Sequence, residues 1–177
     1  MPGIAALDGR QQGTVAITGS GQVNPEDAHD QVLSSVDLGV VRAVFETNVS
    51  GVIAVTNAML PLLRRSPAPR IVNVSSHEAS LTLNSDLDGP FSALLPSAAY
   101  SPSKPALCAL TVQYAKELRE DGVLVNAVAP GFVDTDSNNH TGFQTVAQGS
   151  AVVVRPATLG PDGPTAGFFA EDGPVPW

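Results

Sequence analysis

Two short apolar runs constrain this chain more than anything else in it: Ile71-Val72-Asn73-Val74 and Val123-Leu124-Val125-Asn126-Ala127-Val128. Both are rich in β-branched residues, and neither alternates apolar with polar as a strand with one wet face does. Such runs fit strands buried on both faces, the habit of parallel sheets. Parallel neighbours need a crossover. The residues between the runs supply one from about Ala99 to Glu120, where Leu107, Leu110, Thr111, Tyr114, Ala115 and Leu118 recur at helical spacing. Pro102 suits the first turn, and Asp121-Gly122 stops the helix. Pro105 is awkward: where a helix needs its N–H, a proline costs about 3 kcal/mol. Strand, helix, strand is a βαβ unit of an α/β fold, and open sheets of that class form sites at the carboxyl ends of their strands. Ser76, Tyr100 and Pro130-Gly131 all fall at that edge.

Four runs read as strands, near 14–18, 71–75, 123–129 and 165–169, and are expected to form one parallel sheet in that spatial order. Val36 to Arg65 reads as one long helix capped by Asp37, with a kink or break expected around Gly51 or Pro61. The helices of 36–65 and 99–120 are expected on one face. Residues 1–13 read as irregular and 20–30 as a loop. Leu81 to Pro96 has little periodicity and reads as an inserted loop over the site. Residues 144–159 suggest a helix weakened by Gly149 and Pro156.

Tyr100 and Lys104 are four apart at the start of the crossover helix, so their side chains share a face. A nearby ammonium favours phenolate, which is expected to lower the tyrosine pKa from about 10. His77 and Glu78, just after Ser76, read as loop residues. Asp86 and Asp88 read as solvated carboxylates, and no metal site is expected.

Four stretches, in this order, resemble the short-chain dehydrogenase/reductase family: Phe45-Glu46-Thr47-Asn48-Val49-Ser50-Gly51, Arg70 to Ser76, Tyr100 to Lys104, and Val125 to Asp136. They cover about residues 36 to 136. The ending, Gly163 to Phe169 and Val175-Pro176-Trp177, is similar to carbonyl-reductase-like members. The resemblance implies a Rossmann-like, doubly wound parallel sheet and an NAD(P)-dependent oxidoreductase. On it, Ser76 polarises a substrate carbonyl, Tyr100 transfers the proton, and Lys104 lowers the tyrosine pKa and binds the nicotinamide ribose. Asn48 marks a bulge in its helix and links the lysine to solvent by a proton relay. Pro130, Gly131, Val133 and Thr135 hold the nicotinamide carboxamide through backbone and hydroxyl groups. The implied cofactor is NADP or NAD, with a slight preference for NADP.

The resemblance departs at the beginning of the chain. Family members open on a strand and a Gly-rich Thr-Gly-x-x-x-Gly-x-Gly turn that cradles phosphates. Here Thr18-Gly19-Ser20-Gly21 is followed by Asn24 and Pro25 where that pattern needs glycine. The better match places Val15 to Gly19 at the end of the family's fourth strand. The sequence thus resembles the C-terminal half to two-thirds of a member, one Rossmann-like domain over residues 1–177 that is incomplete at its N-terminus. On that reading Val15 and Ile17 lie on an open edge. Val72, Val74, Val123, Val125 and Val128 lose cover on one side, because the helix near 144–159 is too short to shield them all.

Composition limits the alternatives. The net charge is −8, with nine Lys and Arg among 177 residues. That balance disfavours nucleic acid and anionic membrane as partners. The single cysteine, Cys108, allows no intrachain disulfide and reads as a buried small hydrophobe. No signal peptide and no apolar stretch of membrane length are read, so a cytoplasmic setting is expected. Two functions remain: a reductase or dehydrogenase of a small carbonyl or alcohol, for which a homo-oligomer is compatible, or a catalytically inactive remnant acting through assembly with another chain.

Overall fold

A computed structural model describes residues 4–6, 14–18 and 32–177. In chain order the elements are β1 (Ile4–Ala6), β2 (Thr14–Thr18), α1 (Leu38–Phe45), a π-helical turn (Glu46–Ser50), α2 (Gly51–Leu63), β3 (Arg70–Val74), α3 (Leu81–Asn84), α4 (Tyr100–Glu117), β4 (Leu124–Val128), α5 (Val146–Ala157), β5 (Phe168–Ala170) and β6 (Gly173–Pro174). The six strands form one sheet in the order β1-β2-β3-β4-β5-β6. The four inner strands are parallel, with Ile71 opposite Val125 and Val72 opposite Asn126. β1 and β6 add antiparallel edges. This is the parallel α/β sheet that the apolar runs imply, with the Rossmann-like form that the resemblance implies. The expectation for 1–13 is corrected at Ile4–Ala6, which pairs with Val15 to Ile17, so β2 is not an open edge. An unpaired row of N–H and C=O groups is a template for any nearby extended segment, whatever its side chains. The loop expected at 20–30 and the Gly19-to-Pro25 stretch lie outside the described residues.

Strand pleating divides the core in two. Ile71, Val123 and Val125 pack under α2 and α4 with Val52, Leu63, Leu107, Tyr114 and Leu118. Val72 and Val128 pack under α5 with Val152 and Ala157. The two long helical segments therefore share a face, as expected, and α5 takes the other. The expected loss of cover is corrected: Val72, Val123, Val125 and Val128 are all buried, and of the five only Val74 is half-buried. Val123 and Val125 belong to the α4 face, so α5 has fewer side chains to shield than the sequence reading assigned to it.

The stretch expected as one long helix is three segments end to end, and Asp37 caps it by accepting from Gly39 N at 2.7 Å. Its irregularity is the π turn, which Gly51 closes by donating to Glu46 O, and α2 runs on through Pro61 without a break. By length and apolarity the 26 residues Leu38–Leu63 could cross a membrane, which corrects the reading that no stretch reaches that length. In this fold Val44, Asn48, Val52, Thr56 and Leu63 are buried on one side of it, as in the core helix of a globular domain.

Arg70 anchors the far end of the sheet, a role the sequence did not suggest. It is 2% exposed. Its guanidinium donates to Leu159 O at 3.0 and 2.7 Å and to Pro69 O at 2.7 Å, tying the segment after α5 to the start of β3.

Candidate active site

The site is built on α4, whose first turn lies at the carboxyl ends of β3 and β4. Ala99 precedes the helix, and Ser97 Oγ accepts from Tyr100 N at 3.2 Å. The helix continues through Pro105, which has no N–H to offer the Ser101 carbonyl one turn back. The four-residue spacing places Lys104 under Tyr100: the ammonium lies 5.1 Å from the centre of the phenol ring. Lys104 Nζ donates to Val74 O, the last residue of β3, at 3.2 Å. The lysine is 1% exposed, and burial pulls its pKa down from 10.5 to about 8.

Ser76 follows β3 directly and caps the short turn His77–Ala79, its hydroxyl accepting from Glu78 N at 3.3 Å. The same hydroxyl shares a hydrogen bond with Tyr100. The structure thus brings Ser76, Tyr100 and Lys104 together. Asn48 joins from the π turn. It is fully buried and donates from Nδ2 to Ser103 Oγ at 3.0 Å, and Ser103 Oγ in turn donates to Tyr100 O at 2.6 Å. The bulge that the resemblance implies at Asn48 is this π turn. Ser103, which couples the turn to α4, was not singled out by sequence reasoning. Its only signal is that it lies three residues after the tyrosine on the same helix.

One expectation is reversed. Tyr100 does not have a lowered pKa; it is pushed well above 10. Burial is the main cause, the carboxylate of Glu78 adds to it, and the Ser76 hydrogen bond opposes both. The residue as a whole is half-buried, but its hydroxyl lies deep enough for burial to dominate. Lys104 is subject to the same burial, and its charge faces the ring. Glu78 is also misplaced by the loop reading: its carboxylate accepts a very short hydrogen bond from Ser101 Oγ. Beside it, His77 stacks on Phe91 at 5.7 Å, so the segment expected as an inserted loop is fastened next to Ser76. That segment also contains a helical turn, α3, where Thr82 Oγ1 donates to Trp177 O at 2.6 Å.

The loop after β4 carries the remaining sequence-selected residues. Gly131 has φ +84°, and a Cβ there would lie 1.8 Å from Gln144 Oε1. Only glycine fits that crossing. Val133 bridges to Gln144, and Gly149 lets α5 approach Val133 so closely that a Cβ would sit 2.4 Å from Cγ2. Thr135 caps the turn Asp136–Asn138 in a capping box. Pro130, Gly131, Val133 and Thr135 thus form one loop beside the end of β4. His140, at φ +57°, reaches Asp134 at 2.5 Å and Asp136 at 2.9 Å, and both carboxylates hold its pKa above the usual value. Cys108 is 3% exposed, and burial pushes its thiol up to about 11, which fits an inert core residue. Among the described residues no group of three or more His, Cys, Asp or Glu could hold a metal ion.

A parallel α/β sheet with a serine, a tyrosine and a lysine gathered at its carboxyl edge defines a Rossmann-like oxidoreductase class. Residues 14–144 match the family model described as short chain dehydrogenase. The chain belongs to the short-chain dehydrogenase/reductase family. It is 35% identical over 134 residues to short-chain dehydrogenase anuI of Penicillium roqueforti, covering 74% of this chain and 53% of the relative. It is also 35% identical over 176 residues to salutaridine reductase of Papaver bracteatum, covering 81% and 56%. Among solved structures, salutaridine reductase from Papaver somniferum matches at 33% identity with a TM-score of 0.64, covering 77% of this chain and 56% of that one. Carbonyl reductase Sniffer of D. melanogaster shares the fold at 23% identity, with a TM-score of 0.73 over 95% of this chain and 68% of that one. The chain spans about half the length of the curated relatives it matches.

Proposed function

We propose that this chain carries the catalytic part of an NAD(P)-dependent oxidoreductase that reduces a small carbonyl compound or oxidises the matching alcohol. The observation that supports this most is the junction of Tyr100 with Ser76 on one side and Lys104 on the other. In reduction the substrate oxygen would lie between the two hydroxyls. Ser76 would donate a hydrogen bond to that oxygen as charge grows on it. Tyr100 would pass its proton to the oxygen, completing the alcohol. Lys104, charged below about pH 8, would stabilise the phenolate left behind. The Asn48–Ser103 link holds the first turn of α4 to the π turn, which fixes where Tyr100 stands.

The donor set fits the nicotinamide-ribose end of NADP or NAD. Lys104 and Tyr100 supply an ammonium and a hydroxyl for ribose. The loop of Pro130, Gly131, Val133 and Thr135, turned at Gly131 by its φ of +84°, would offer backbone and hydroxyl groups to the carboxamide. The bound cofactor would supply a hydride to the carbonyl carbon. We also take the partner to be a small molecule rather than nucleic acid or membrane, the setting to be cytoplasmic, and a homo-oligomer to be compatible with the exposed Leu38 and Leu62 on the outer helices.

The test is reduction of a panel of ketones and aldehydes by the 177-residue chain, followed by loss of NADPH absorbance. Tyr100→Phe is expected to lower the rate about 100-fold or more, with an unchanged melting temperature. A phenylalanine variant that keeps its rate would remove the tyrosine from the reaction.

A further inference from the structure

Glu78 stands at the same site, and neither the motif resemblance nor the proposed reaction uses it. It lies two residues after Ser76, on a turn that the Ser76 hydroxyl itself caps. Its carboxylate is fixed by Ser101, the residue next to Tyr100. The turn on one side and the first turn of α4 on the other therefore clamp a negative charge beside the tyrosine and the lysine. We propose that Glu78, oriented by Ser101, is a positioning residue that sets a carboxylate beside the Tyr100–Lys104 pair and governs how readily that pair releases a proton. This rests on Tyr100 and Lys104 being the reacting pair.

The sign follows from charge. A fixed anion opposes a second anion, so it disfavours phenolate at Tyr100 and favours ammonium at Lys104. Both directions appear in the site, where burial is the larger influence on each group and Glu78 raises both. Cys108 on α4 and the Ser76 hydroxyl also act on the pair, and Lys104 donates to Val74 O. His77, on the same turn, faces Phe91 and the charge of Asp172 instead. A tyrosine kept protonated is ready as an acid, which suits proton delivery to a carbonyl oxygen. Removing the carboxylate would shift the balance toward phenolate and move the working range of the reduction to lower pH.

The chain has two lysines, Lys104 and Lys116, so labelling the lysine ε-carbon with 13C gives two NMR signals, assigned with Lys116→Arg. The wild-type Lys104 signal is expected to titrate near pH 8. In Glu78→Gln its midpoint should fall by about half a pH unit or more, while that of Lys116 stays put. Glu78→Asp should restore most of the shift, and Ser101→Ala should move the midpoint the same way as Glu78→Gln by a smaller amount. A Lys104 midpoint within about a tenth of a pH unit of wild type in Glu78→Gln would overturn the inference. If that variant does not fold, an unmoved midpoint in Ser101→Ala overturns it equally. The readout needs no turnover, so a chain that reduces no carbonyl refutes the proposed reaction and leaves this result to be read separately.

Discussion

The two faces of the sheet are built differently. Under α2 and α4 the core mixes leucines and valines with buried polar groups that have specific partners. Asn73 donates to Thr111 at 2.9 Å, Asn48 to Ser103 at 3.0 Å, and Lys104 to Val74 O at 3.2 Å. Under α5 the contacts are small and apolar, between Val72, Val128, Val152 and Ala157. A polar group is buried cheaply only if its hydrogen bonds are met on arrival. The α2 and α4 face meets them for Asn48 and Lys104 near the carboxyl edge, and the opposite face meets them for Arg70 and Asn126 through carbonyls of the segment after α5. The chemistry is concentrated where the packing is deep enough to hold an amine out of water.

The difference predicts unequal costs for the same kind of damage. Leu107, fully buried on α4, should cost about 2–5 kcal/mol when cut to alanine. Val152 on α5 should cost about 1.6 kcal/mol, two methylene equivalents of lost burial. Urea denaturation of both variants checks this, and equal costs would mean that the α5 face carries as much of the fold as the α4 face. A smaller effect of opposite sign is expected at Lys104. Its pKa is lower folded than unfolded, so folding works against the charge at neutral pH, and stability from this group should rise between about pH 8 and 10.5. Lys104→Met should therefore melt at the same temperature as wild type or a few degrees above it while losing any reductase rate. A clear drop in melting temperature would make the lysine a structural residue.

The smallest effect lies outside both faces, in the loop after β4. His140 is held above its ordinary pKa by Asp134 and then Asp136. A raised folded-state value means that its stabilising contribution is complete below about pH 6.5, the unfolded value, and disappears as pH rises through the folded one. Limited proteolysis near Phe143 should quicken across that rise, and His140→Gln should remove the pH dependence. Cleavage that is indifferent to pH would show that the capping box at Thr135 holds the loop unaided.

The parallel order of β2 to β5 was legible because β-branched runs without alternation leave few other placements. β1 was not, since Ile4-Ala5-Ala6 has no pattern and owes its pairing to an edge. The α5 face was misjudged because strand alternation at Val123 and Val125 was counted to the wrong side. At the site, residue types and spacing pointed to Ser76, Tyr100, Lys104 and Asn48. The sign of the tyrosine shift was misread because spacing reports which charges are near and says nothing of how much water is excluded. The Glu78–Ser101 contact spans 23 positions through an inserted segment, so although each residue lies close to a motif residue, spacing gives no sign that the two meet.

The π turn has a consequence for the count of residues along the first helical layer. Gly51 N donates to Glu46 O, a loop one residue wider than an α-helical turn. One added residue advances everything beyond it by about 100° around the axis. The turn therefore shifts the phase between α1 and α2, which brings Val44 and Val52, eight residues apart, to the same buried side. Substitutions on either side leave that phase intact, whereas losing a single codon within 46–50 would rotate all of α1 and carry the buried Val44 out of its place beside α4.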